Sequence, residues 1–286
     1  NSNGFSSTVF QNNKYVSWSF RKKKKFFDIV TYSGNSTSGR TLSHSLGSVP
    51  AMMIFKQTNG TNAWFVYHKD FIKDGAAAPN SALFLNLADA GDTNAGYFNN
   101  TAPTDSVFTL GNSSGDWGIN GSGENYVAYL FADNSSEDAD DQMIKCGSYT
   151  GNGAASGPVV DLGWEPQFLI TKVVDSNNWQ MYDSMRGVTT GGNDSRFYPN
   201  LGNAEDSTEK IEFNSTGFQI KSSSISINTS GVETIYMAIR APMMVEPEAA
   251  TDVFAINTYG SNRNASLTDA FYANFPVDMA FWTNIG

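Results

Sequence analysis

Residues 30–50 read VTYSGNSTSGRTLSHSLGSVP, and residues 147–166 read GSYTGNGAASGPVVDLGWEP. Both stretches carry an aromatic strand end, a Gly-Asn turn, a polar run and then Leu-Gly-x-x-Pro. Tyr32, Gly34 and Asn35 match Tyr149, Gly151 and Asn152 at a shift of 117, and Leu46, Gly47 and Pro50 match Leu162, Gly163 and Pro166 at 116. Lys56 matches Lys172 at 116, and Trp64 and Tyr67 match Trp179 and Tyr182 at 115. A unit of this length is too long for a solenoid repeat and has the size of a small domain. The repetition therefore predicts tandem copies of one domain in a modular, extended protein.

Strand signals surround the matched stretches. Ala51–Lys56 and Trp64–His68 are short apolar runs, and in Ala82–Leu87 the leucines alternate. Ser106–Leu110 and Asn125–Phe131 complete the first unit; Met143–Tyr149, Gln167–Val174, Trp179–Asp183, Lys210–Phe213, Gly217–Lys221 and Glu233–Arg240 supply the second. These runs are rich in aromatic and β-branched residues and are bounded by Gly, Asn, Ser or Pro, with no long helical period. Each unit closes alike: Asn120-Gly-Ser-Gly123 leads into Tyr126–Phe131, and Asn228-Thr-Ser-Gly231 leads into Ile235–Arg240. The fold class expected is all-β, as tandem β-sandwich (jelly-roll-like) repeats.

The expected boundaries follow from composition. Residues 1–25 hold the C-terminal strands of a preceding repeat plus the basic connector Arg21–Lys25. Residues 26–132 form one repeat, 133–142 an acidic linker, 143–241 a second repeat, and 242–286 a linker and the start of a further repeat. A chain that reads tail, unit, unit, head is expected to be part of something longer.

Net charge is −10, which opposes nucleic-acid binding because that needs a basic footprint. Charged residues make up only 16% while aromatics reach 13%, so the surface is wetted by amides and hydroxyls, a style suited to secreted or virion-surface β-proteins. The single cysteine, Cys146, excludes an intrachain disulfide framework and sits in a strand-like run, where a small buried hydrophobe is expected. No apolar run approaches the roughly 18 residues of a membrane span.

Candidate chemistry is sparse. The acidic group Asp133, Glu137, Asp138, Asp140 and Asp141 lacks calcium-loop spacing and reads as a hydrated linker. His44 and His68 have no nucleophile elbow nearby and read as structural. A glycosidase carboxylate pair drawn from Glu124, Asp161, Glu165, Asp183, Glu209, Glu212 and Glu233 is not preserved between the units: Asp161 faces Ser45, and Asp183 faces His68. Trp64 and Trp179 could stack on sugar rings, but their repetition favours a core role. Asn-x-Ser/Thr triplets are frequent, as chance predicts in such a composition. The loops 94–100 and 187–200 are the better surface for ligand contact, with Asn94, Tyr97, Asn99, Asn193, Arg196 and Tyr198 as the contact residues. No metal site, cofactor site or catalytic set is expected.

The paired phrases, Tyr-Ser/Thr-Gly-Asn with Leu-Gly-x-x-Pro and the Asn-Gly/Thr-Ser-Gly turn before a Tyr-Val/Met-Ala strand, resemble a repeat of tailed-bacteriophage virion proteins, tail-fibre-like proteins of marine phages among them. The resemblance covers residues 3–20, 27–131, 144–240 and 253–286. It implies an all-β structural or host-attachment module at the virion surface, without a cofactor and without enzymatic activity. Implied partners are other virion proteins, further copies of itself (a homo-oligomer, with a trimer suggested by fibres) and a host surface glycan or receptor, but neither nucleic acid nor an inserted membrane. The alternatives are a carbohydrate-binding adhesin, a capsid decoration protein and a polysaccharide depolymerase.

Overall fold

The computed structural model describes residues 17–116, 118–188 and 192–242. The expected strands at 1–16 and the expected start of a further repeat at 253–286 lie outside these residues. Everything described up to Ala241 belongs to one compact unit.

The first half runs β1 (Phe27–Ser33), β2 (Arg40–Ser43), β3 (Pro50–Gln57), β4 (Phe65–His68), β5 (Ser81–Phe84), β6 (Asp92–Thr93), β7 (Val107–Leu110) and β8 (Asn125–Ala132). The second half runs β9 (Ile144–Thr150), β10 (Val159–Asp161), β11 (Pro166–Val173), β12 (Gln180–Asp183), β13 (Ser195–Phe197), β14 (Asp206–Ser207), β15 (Ile211–Asn214), β16 (Gly217–Ile220) and β17 (Glu233–Arg240). Each half builds a six-stranded sheet in the same order, β1-β8-β3-β4-β5-β6 and β9-β17-β11-β12-β13-β14. A smaller sheet accompanies each, β2-β7 in the first half and β10-β16-β15 in the second. Pairing is antiparallel, and the register repeats: Ile54 lies opposite Tyr129 and Val66, and Ile170 lies opposite Met237 and Met181. The chain is thus all-β, with the sandwich character read from its sequence.

Alternation of side chains assigns the two faces of each large sheet. On β3, Phe55 packs its ring on Phe65, Phe98 and, from the small sheet, Phe108 at 5.6 Å, so Met53 and Ala51 share that inner face. Met52 and Ile54 then point the other way, yet they too are buried. On β11, Leu169 belongs to the second half's own interior, whereas its neighbours Phe168 and Ile170 join the first half's core. Ile144, Cys146, Ile235 and Met237 join that core as well. The outer faces of the two large sheets therefore meet along a seam, and each inner face is covered by its own small sheet. Burying β3 and β11 on both faces accounts for the unbroken apolar runs Ala51–Phe55 and Phe168–Ile170 within them.

The ends of the seam are closed by backbone and arm contacts. The Trp179 indole donates to the Phe84 carbonyl at 2.9 Å, and the His68 ring meets the Tyr236 carbonyl at 3.1 Å. Ahead of β1, Phe20 packs on Phe27 and Phe131 of the first half and on Phe168 of the second, while Trp18 packs edge-on to Phe168 and Phe197 and donates to Asp183 at 3.0 Å. The acidic stretch 133–142 is folded on itself: the buried Asn134 side chain accepts from Met143 and Ile144 N–H and donates to the Asp141 carbonyl. The basic run lies on the surface, where Lys22 pairs with Asp28 at 2.6 Å and Lys25 with Glu137 at 2.7 Å.

Candidate functional site

Part of the set that recurs in both halves converges on one constellation. The Tyr32 hydroxyl donates to the Ile119 carbonyl at 2.7 Å, and the Tyr149 hydroxyl donates to the Ile227 carbonyl at 2.8 Å. Asn120 and Asn228 follow, both fully buried. Asn120 Oδ1 accepts from Asn35 N–H at 3.1 Å, and its Nδ2 donates to the Thr37 and Gly111 carbonyls at 3.1 and 2.6 Å. Asn228 Oδ1 accepts from Asn152 N–H at 2.7 Å, and its Nδ2 donates to the Ala154 and Ser222 carbonyls, each at 2.8 Å. A Cβ on Gly34 would collide with the Gly121 carbonyl, and one on Gly151 with the Thr229 carbonyl, so glycine is needed for the chains to cross. An asparagine with every polar atom bonded is how a buried amide becomes tolerable. The recurring residues thus clamp the Gly-Asn turn to the closing turn of each half.

The predicted contact residues separate into exposed and buried. Asn94, Asn99 and Asn193 are exposed. Asn94 Oδ1 accepts from Gly96 N–H at 2.7 Å, and Asn99 Oδ1 accepts from the Ser38 hydroxyl at 3.0 Å. Tyr97 is buried edge-on against Phe65 at 4.8 Å and donates its hydroxyl to Asp92 at 2.6 Å; burial and that carboxylate push its pKa up. Arg196 is buried too, engaging the Tyr198 hydroxyl, the Thr208 carbonyl and Asp206, while Tyr198 is half-buried and donates to Asp206 at 3.0 Å. Tyr97 and Arg196, expected on open loops, are therefore held inside by carboxylate partners on the edge strands. The structure brings Arg196 and Tyr198 together, and among the described residues no hydrogen bond joins Asn94, Asn99 or Asn193 to them. Asp92 and Asp206 are equivalent: each lies opposite the matching position of β5 or β13, Ala82 in one half and Arg196 in the other.

The groups weighed for catalysis have structural partners. His68 is fully buried in the seam; its Nδ1 accepts from Asp70 N–H at 3.2 Å, so Nε2 carries the proton and donates to Tyr236. Burial lowers its pKa to about 4, against the smaller opposing pull of the Tyr236 hydrogen bond. His44 is likewise engaged through both nitrogens, with the Thr104 carbonyl and Leu46 N–H. The Cys146 thiol lies against the Ala132 carbonyl at 3.7 Å, and burial raises its pKa. Among the carboxylates, Asp161 accepts from Gly163 N–H, Asp183 is held by Trp18 and Arg186, and Glu212 pairs with Lys221. Among the described residues no group of three or more His, Cys, Asp and Glu is placed to hold a metal ion. Nor, among them, is any helix long and apolar enough to cross a membrane.

One recurring pair escaped the sequence reading. Asn86 Oδ1 accepts from Trp64 N–H at 2.8 Å, and Asn200 Oδ1 accepts from Trp179 N–H at 3.2 Å. The signal was present as Asn-Leu at 86–87 and again at 200–201. The indoles differ in fate, however. Trp179 is 1% exposed, whereas Trp64 is only half-buried, with the Lys56 ammonium 6.0 Å from its ring centroid.

Comparison with known proteins gives a family and nothing nearer. Residues 2–242 match a family described as Domain of unknown function (DUF7483), a span that takes in both halves. No curated protein and no solved structure matches the chain. With most of its length matched, the chain belongs to that family.

Proposed function

We propose, for this member of the DUF7483 family, a structural role: a segment of a tailed-bacteriophage tail fibre or related virion appendage, displayed at the particle surface, that contributes to host-cell attachment without catalysing a reaction. One observation carries the reading. Tyr32, Tyr149, Asn120 and Asn228, which are common to both halves, are engaged in buried backbone clamps. Repetition that preserves framework and no reactive group is what a load-carrying module needs. The resemblance of the paired motifs to phage virion repeats supports the particle assignment. Gold-labelled antibodies against the chain, applied to intact particles of its phage, test the proposal. Label on tail appendages is expected. Label on the head would favour capsid decoration, and particles without label would refute a virion role.

A carbohydrate-binding adhesin is the second reading. It is favoured by the exposed amide surface in which Asn80 Nδ2 donates to Asn100 Oδ1 and Ser38 donates to Asn99. A glycan array without signal for the chain would remove it.

A further inference from the structure

The seam contains a contact that is made once although the chain carries the parts for it twice. Across the outer face of the second half runs a row formed by Ile235, Lys172 and Trp179, with Ile235 directly opposite Lys172. All three are 1% exposed. Against them lies the turn that follows β5 of the first half. There Leu87 N–H bonds the Phe84 carbonyl at 3.1 Å, the same carbonyl accepts the Trp179 indole N–H, and Leu87 packs on the core cluster that Ile235 and Trp179 join. Asp89, just beyond the turn, acts on Lys172 as an opposite charge.

Both partners of this contact recur, unpaired. Val127 opposite Lys56, followed by Trp64, repeats the row on the first half, and all three are half-buried rather than covered. Among the described residues the Trp64 indole N–H has no acceptor. The turn recurs at 198–201, where Leu201 N–H bonds the Tyr198 carbonyl at 3.1 Å. That carbonyl accepts from no other described residue, and Leu201 is 40% exposed where Leu87 is packed. One chain thus presents an open row and an open turn, and the closed pair in its own seam shows how such a row and turn fit.

We propose that the turn 198–201 of one copy docks on the Lys56–Trp64 row of a second copy, with the Tyr198 carbonyl accepting the Trp64 indole N–H and Leu201 covering the row. The contact is head-to-tail, because row and turn are different surfaces, so it generates rings or filaments rather than a closed two-fold dimer. It names the self-association surface of the structural module proposed above and rests on that reading for the choice of a second copy as occupant.

Sedimentation velocity on the full 286-residue chain, from low micromolar to near-millimolar concentration, tests it. Species larger than the monomer are expected to grow with concentration. Trp64→Ala and Leu201→Glu, each alone, are expected to stay monomeric. Mixed in equal amounts they are expected to form a one-to-one dimer and nothing larger, because W64A keeps an intact turn and L201E an intact row. Trp64→Phe keeps the ring and loses the N–H, so it guards against a folding defect; about tenfold weaker association is expected for one lost hydrogen bond. A wild-type chain that remains monomeric overturns the docking, as does a mixture without dimer. Wild-type chain that stays monomeric while glucose shifts the Trp64 indole resonance assigns the row to a saccharide instead. Variants that assemble as wild type does also overturn it, while leaving the structural role intact.

Discussion

His68 makes the seam sensitive to acid, and the size of the effect follows from its surroundings. The ring is fully buried and neutral, with Nδ1 accepting from Asp70 N–H and Nε2 donating to the Tyr236 carbonyl across the seam. A second proton on Nδ1 would face the Asp70 N–H and place a charge between the sheets. The charged groups acting on the ring are Asp70, Lys69 and Asp133, with the Cys146 thiol subject to the same three. The pKa falls from 6.5 in the unfolded chain to about 4 in the folded one. A base with a depressed folded pKa favours folding above its unfolded value, and that contribution is lost as pH falls from 6.5 toward 4. At about 1.4 kcal/mol per pKa unit, the loss by pH 4 is ~3 kcal/mol. The perturbation is His68→Gln, which keeps a neutral donor and acceptor but does not titrate. Urea unfolding of both proteins at pH 7 and pH 4 gives the double difference. Other acids titrate over the same range but do so in both proteins, so wild type should lose ~3 kcal/mol more than the variant. Parallel losses in the two proteins would refute the account of His68.

The remaining predictions concern the clamp and the buried reactive groups. Asn120→Ala and Asn228→Ala should each destabilise the protein by about 3 kcal/mol in urea unfolding, since each strands several buried backbone groups, and the two losses should agree within ~1 kcal/mol. A marked inequality would show that the clamps are not equivalent. Cys146 should resist a thiol reagent in the native protein and react once unfolded, because burial raises its pKa and hides the sulfur. Lys172 has its pKa lowered by burial to about 8, so its side chain should titrate near that pH in a heteronuclear NMR titration.

What the sequence made legible is what both halves need in order to fold. The Gly-Asn turn, the Leu-Gly corner and the closing turn recur because each half must build the same clamp. Gly47 and Gly163 adopt φ of +70° and +82°, which few other residues tolerate. The seam left a fainter trace. Ile54 and Ile170 recur in it, but other seam residues differ between the halves, as Met52 against Phe168, His68 against Asp183, and Tyr129 against Met237, because each meets a different neighbour. The available clue was the unbroken apolar run Ala51–Phe55, which marks a strand covered on both faces rather than one turned half to water. The expected contact loops were only partly legible for a related reason. Composition identifies a polar loop, but it does not reveal that Asp92 and Asp206 draw Tyr97 and Arg196 inward from opposite ends of the same motif.

The join between the halves has a consequence for variation. In an assembly of identical subunits with two-fold symmetry, any substitution appears on both sides of the axis and must suit itself. Here the partners are covalently tied, so a change lands on a single wall. His68 faces a carbonyl while its counterpart Asp183 has taken Trp18 and Arg186 instead. Tethering has released the two walls from mirror obligations, leaving one free to acquire a proton-sensitive ring without the other acquiring it as well.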